Sequence, residues 1–144
     1  MHHRFLPFLS LIFVGLVVFQ SALGGVLFLQ NVGSDAASIS RYYADKSFHG
    51  LLEVTLPHTL FIAVALMASL HFLYFIPTLT VLAKRFITHL LFIVFTIDQL
   101  SVFLIVQGQH WISYLKLGAF FLFESLLAAL WIFLFIQILK GIND

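Results

Sequence analysis

The chain has 144 residues, 62% hydrophobic and 9% charged, with 18 Phe and a mean hydropathy of +1.09. A soluble domain carries about 25% charged residues, so this chain has too few polar side chains to cover a water-facing surface, and lipid is its main solvent. The net charge of +1 points to no nucleic-acid partner, and the lack of Cys excludes disulfides, thiolate metal sites, iron–sulfur ligation and covalent haem attachment.

After the polar start Met1 to Arg4, residues 5–30 form the first apolar run, with Pro7 in what would be its first helical turn. About 20 apolar residues cross a bilayer. The same stretch admits a cleaved secretory signal, with Arg4 ahead of an apolar segment and Ala22 and Gly24 as the small-residue site. Apolar sequence resumes at Val26, which favours a retained helix. Residues 31–50 are rich in Ser, Ala, Gly and Asp and are expected to be the one substantial loop. The second span is expected over 51–83, longer than a bilayer requires, and so tilted, kinked near Pro57 or Pro77, or projecting. Lys84 and Arg85 would form a tight turn, residues 86–107 the third span, 108–112 a second turn, and 113–140 the fourth span.

The expected fold is therefore all-α: an integral-membrane four-helix bundle with antiparallel, up-down topology, in one domain over 1–144. Arg4, Lys84, Arg85 and Lys140 fall on one side, and Arg41, Lys46 and Lys116 on the other with Asp35 and Asp45. The excess of Lys and Arg on the first side makes both termini cytoplasmic. Ser21 with Gly25, Ala65 with Ser69, and Ser125 with Ala129 have the spacing of small-residue helix contacts. There is no glycine-rich phosphate loop, nucleophile motif or other catalytic signature.

Depth along each helix, at about 1.5 Å per residue, sorts the polar groups. Gln20, His71, Asp98 and Glu124 come out near mid-membrane, with Gln99 beside them. His58 and His110 lie higher, at the outer face, with Glu53 and His49 just beyond. His89 is alone near the cytoplasmic side. At about 100° per residue, His71 is about 140° from His58 around its helix, which argues against two stacked haems.

Two candidate sites follow. In the outer group, His58 and His110 would be axial ligands of one b-type haem, or His49, Glu53, His58 and His110 would hold Zn²⁺ or Cu²⁺; the alternative is that all four are simply hydrated at the interface. In the inner group, Asp98 and Glu124, with His71 and Gln20, would form a proton or cation site, because two carboxylates in a dry bundle cannot both stay ionised cheaply. The alternative there is neutral carboxyls that hydrogen-bond neighbouring helices. His2 and His3 are further metal ligands by residue type only.

The segment Leu52-Glu53-Val-Thr-Leu-Pro57-His58, followed by an apolar run to His71, resembles small, largely uncharacterised four-helix inner-membrane proteins of bacteria that open their second helix on Leu-Glu-x-x-x-Pro-His. The resemblance covers about residues 42–75 and implies a bacterial inner membrane and a redox setting. It draws interest to Glu53, His58 and His71 without giving them roles. The reading placed first is a small subunit of a respiratory or redox system, binding haem b and associated with other membrane subunits or with copies of itself. A proton- or metal-coupled transporter or channel component stands beside it, as does a cofactor-free assembly partner.

Overall fold

The computed structural model describes the backbone of residues 5–143 and the side chains of residues 8–140. Five helices follow one another: α1 (Phe5–Asn31), α2 (Ala36–Ala44), α3 (Phe48–Phe75), α4 (Val81–Val106) and α5 (Ile112–Asn143). All but α2 are long and apolar enough to cross a membrane. The molecule is an integral-membrane helical bundle.

Helix α5 is the common neighbour. It packs most extensively on α4, its hairpin partner, and also receives α1, α2 and α3. Leu127, Leu130 and Leu134 of α5 meet Leu66, Leu70 and Leu73 of α3 and Leu91 and Val94 of α4 in one buried cluster. Helices α1 and α3 flank this core but hardly touch. Near the cytoplasm-facing end of the expected topology, Phe13 and Phe72 bring them together, with ring centroids 5.6 Å apart.

The segment expected as a plain loop contains α2, and the correction has a local cause. The Asp35 carboxylate accepts from the backbone N–H groups of Ala37 and Ser38, both at 3.0 Å, and so supplies an N-cap. Ile39 is fully buried against Val32, Ile105 and Ile112 and pins the helix over the bundle end. Gly33 makes the reversal from α1 to α2 with a φ of 97°, a conformation costly for any residue with a Cβ.

The second boundary also differs. Residues 51–83 are not one long helix: α3 ends at Phe75. Pro77 lacks the N–H that a continuing helix needs, and Thr80 caps α4 by accepting from the Ala83 N–H at 3.2 Å. Lys84 is therefore no turn residue. It is buried in the first turn of α4, where its Nζ donates to the Tyr74 carbonyl at 2.9 Å. That carbonyl is one of the free acceptors at the end of α3, the negative pole of a helix.

Two outcomes test this account of α2. Gly33→Ala adds a Cβ that would lie 2.6 Å from the Ser38 Cβ at a positive φ; we expect a loss of stability of about 1–3 kcal/mol and faster amide exchange in α2. Hydrogen bonds from the Ser38 hydroxyl and backbone hold Asp35 below the usual carboxylate range. A depressed folded-state value means the cap contributes above the ordinary Asp range and is lost as pH falls through the lower folded value. Exchange protection of α2 should accordingly weaken as pH falls below the ordinary Asp range, and that acid-dependent loss should be absent in Asp35→Asn, whose amide still caps the helix but does not titrate.

Candidate functional site

A cavity of about 300 Å³ is lined by residues of α1, α3, α4 and α5 and, at one end, by residues of α2 and the connection after it. Its walls are mainly apolar and aromatic. The polar groups entering it come from every helix and one connection: Gln20 and Ser21 of α1, Tyr43 of α2, Lys46 just after α2, His58 of α3, Asp98 and Gln99 of α4, and Lys116 and Glu124 of α5. This mixture, an apolar concave surface with a few converging polar groups, is the usual form of a ligand site.

The dominant interaction is an ion pair. Lys116 Nζ donates to Asp98 Oδ1, and both residues are buried, at 4% exposure each. The other Asp98 oxygen accepts from Gln99 Nε2 at 2.7 Å, and Gln99 Oε1 accepts from the Thr59 hydroxyl. A chain of hydrogen bonds thus ties α3, α4 and α5 together. Pairing and full hydrogen bonding are what make two charges tolerable in such a medium. Tyr43 of α2 closes the pair from above: burial and the negative charge of Asp98 push its phenol well above the ordinary tyrosine range, so it stays protonated.

Glu124 is held differently. Its Oε2 accepts from the Ser21 hydroxyl of α1 at 2.8 Å, and among the described residues it has no cationic partner. It lies eight residues beyond Lys116 on α5, or about 12 Å deeper along the axis. Asp98 and Glu124 both enter the cavity, yet Asp98 is committed to Lys116 near its outer end rather than sharing a proton with Glu124. The expected mid-membrane height of Asp98 assumed that the helix starts at residue 86; α4 starts at Val81, which raises Asp98 by about 7.5 Å.

The remaining sequence candidates separate. Gln20 reaches the cavity. His71 does not: it is exposed on the outer surface of α3, edge-on to Phe75 with centroids 4.9 Å apart. His58 lines the cavity beside Gly24, where an added Cβ would lie 3.9 Å from its Cε1. His110 does not line it, and its Nδ1 shares a hydrogen bond of 2.9 Å with the Ser40 hydroxyl of α2. His49 and Glu53 meet at 3.2 Å on the exposed start of α3. Among the described residues no group of three or more His, Asp or Glu side chains converges as a metal site, so the four-residue metal set is not assembled. His89 bonds its own helix, donating to the Arg85 carbonyl at 2.7 Å. His2, His3 and Arg4 lie outside the described residues.

Sequence reasoning missed Lys116, Ser21 and Tyr43 as site residues. Lys116 carried a signal: it is a lone cation inside an apolar stretch that faces a hairpin partner carrying a lone Asp. Ser21 was read only as a small packing residue.

Compared with protein families, residues 27–143 match the Aq_1264_TM family, described as a transmembrane helical domain. The chain belongs to that family. The match takes in the end of α1 and all of α2 to α5, and so covers His58, Asp98, Lys116 and Glu124. Compared with curated proteins and with solved structures, the chain has no significant match.

Breaking a buried pair by removing one partner costs about 3–5 kcal/mol, whereas replacing both by apolar residues is often neutral. We therefore expect Lys116→Met alone to lower the melting temperature in detergent sharply, and Lys116→Met combined with Asp98→Leu to restore most of it.

Proposed function

We propose that the chain is a proton-coupled carrier component of a bacterial inner membrane, in which Glu124 exchanges protons and the Asp98–Lys116 pair is a fixed polar anchor. The observation that carries this reading is the contrast between two carboxyls in one cavity. One is neutralised by a buried ammonium and by Gln99; the other has a single neutral hydroxyl as its donor. An ionised carboxylate in a membrane interior needs a counter-charge or a proton. Glu124 is the group whose counter-charge is free to come and go.

The redox reading receives less support. A b-type haem on His58 and His110 needs both rings turned into one space, whereas His58 faces the cavity and His110 is bonded to Ser40 outside its lining. For orientation, we place both termini in the cytoplasm. With Lys116 paired in the interior, one flank keeps Arg41 and Lys46 and the other Arg85 and Lys140 with Lys84 capping the end of α3 between them, and the three cations on that second side favour it as the cytoplasmic one.

The test is pH-jump infrared difference spectroscopy on the protein in bilayers. A protonated-carboxyl band that titrates reversibly should vanish in Glu124→Gln and persist in Glu53→Gln. Failure to find any titrating band that depends on Glu124 would end this reading.

A further inference from the structure

We propose that the cavity binds a small lipophilic organic cation, which enters sideways from the bilayer between α1 and α3 and takes the place of the proton on Glu124. This rests on the reading of Glu124 as the exchanging carboxyl. In the exchange the Glu124 O–H bond is broken, the proton leaves to water, and the carboxylate faces the bound cation; no bond forms to the ligand.

The walls suit such a guest. Phe28 and Phe120 stack at 3.9 Å between ring centroids, and Phe61, Phe123 and Trp131 add further aromatic lining. Aromatic faces attract quaternary and other organic cations, most strongly where water is excluded. An apolar wall with one uncompensated carboxylate selects charge and greasiness together. A metal ion or an acid would meet the wrong surface.

The charged neighbours set both the sign and the route. Sharing the cavity with Glu124 are Gln20 and Ser21 from α1 and His58 from α3; Asp98 of α4 and Lys116 of α5 neutralise each other; α2 contributes Tyr43, and Lys46 follows just beyond the end of that helix. The Lys46 ammonium sits 4.3 Å from the Tyr42 ring centroid, a fixed positive charge at the water-facing end that repels a cation. The gap between α1 and α3 carries no such charge. Leu27, Val54 and Phe61 line that edge and remain 55%, 59% and 47% exposed, so a guest dissolved in the bilayer meets apolar surface all the way to the interior.

Binding of benzyltrimethylammonium to the full chain in lipid nanodiscs tests the proposal, read by fluorescence of Trp131 in a Trp111→Phe background. Its neutral isostere neopentylbenzene has the same shape without the charge. We expect saturable binding of the cation that weakens by up to about tenfold per pH unit on acidification, as exchange against one proton requires, and that falls at least about tenfold in Glu124→Gln. Gly24→Leu, which fills the cavity beside His58 without touching Glu124, should block binding as well, and it keeps the test decisive if Glu124→Gln fails to fold. Equal affinity for neopentylbenzene, indifference to pH, or unaltered binding in both variants would overturn the proposal. Should the infrared band of Glu124 titrate while the cation fails to bind, the inference falls and the proton-exchange reading stands; should neither occur, both fall.

Discussion

The interior of this protein is arranged around one ion pair in a place where charge is expensive. Lys116 and Asp98 are each almost inaccessible, and the pair is tolerated because both carboxylate oxygens are bonded, one to Lys116 and the other to Gln99, which Thr59 holds in turn. Among the described residues no buried side-chain nitrogen or oxygen is left without a partner. The pair joins α4 to α5, the hydrogen-bond chain extends to α3, and the burial of Ile39 brings α2 down as a cover. A buried pair of this kind is weak evidence for added stability, since apolar residues of similar size would pack as well. Its consequence is positional: it settles how α4 and α5 meet and leaves the deeper carboxyl, Glu124, without a cation.

That arrangement explains why the cavity is asymmetric. At the end where α2 lies, Asp98 and Lys116 neutralise each other and α2 lies over the pair. Deeper, α1 leans on α5 through Ser21 and Glu124, and it meets α3 beside Gly24 and His58 and again where Phe13 touches Phe72. A bilayer has no hydrophobic force to close the space between such contacts, because acyl chains are as good a neighbour as another helix. An opening toward lipid therefore persists at little cost, where in water the same apolar cleft would collapse or be filled.

The spans were legible because the bilayer imposes them: an uninterrupted apolar run has only one way to satisfy its backbone, by forming a helix. Ala65 and Ser69 were also legible as a contact face. Both are buried, and the Ser69 hydroxyl receives the Trp131 Nε1–H at 3.0 Å. Ser125 and Ala129 had the same spacing and face outward, because spacing alone does not say which side of a helix finds a neighbour. The site was half legible. Asp98, Glu124, His58 and Gln20 stood out as polar residues in apolar runs. Lys116 was counted as a flank charge, since a lysine near a helix end ordinarily extends its ammonium to water; its attraction to Asp98 outweighs that. His71 looked internal from its depth, although about 100° per residue already turned it about 140° from His58, and its ring rests on Phe75 outside the bundle. Helix α2 escaped notice because its polar composition conceals the two residues it buries, Ala36 and Ile39.

The most direct test is a dipolar-recoupling solid-state NMR measurement between a ¹³C-labelled Asp98 carboxyl and a ¹⁵N-labelled Lys116 ammonium in the intact protein in bilayers. Strong dephasing, as between directly hydrogen-bonded groups, is the expected result, and it should be unaffected by Glu124→Gln. No dephasing between the two labels would place the ammonium elsewhere, and with it would go both the anchor and the distinction between the two carboxyls.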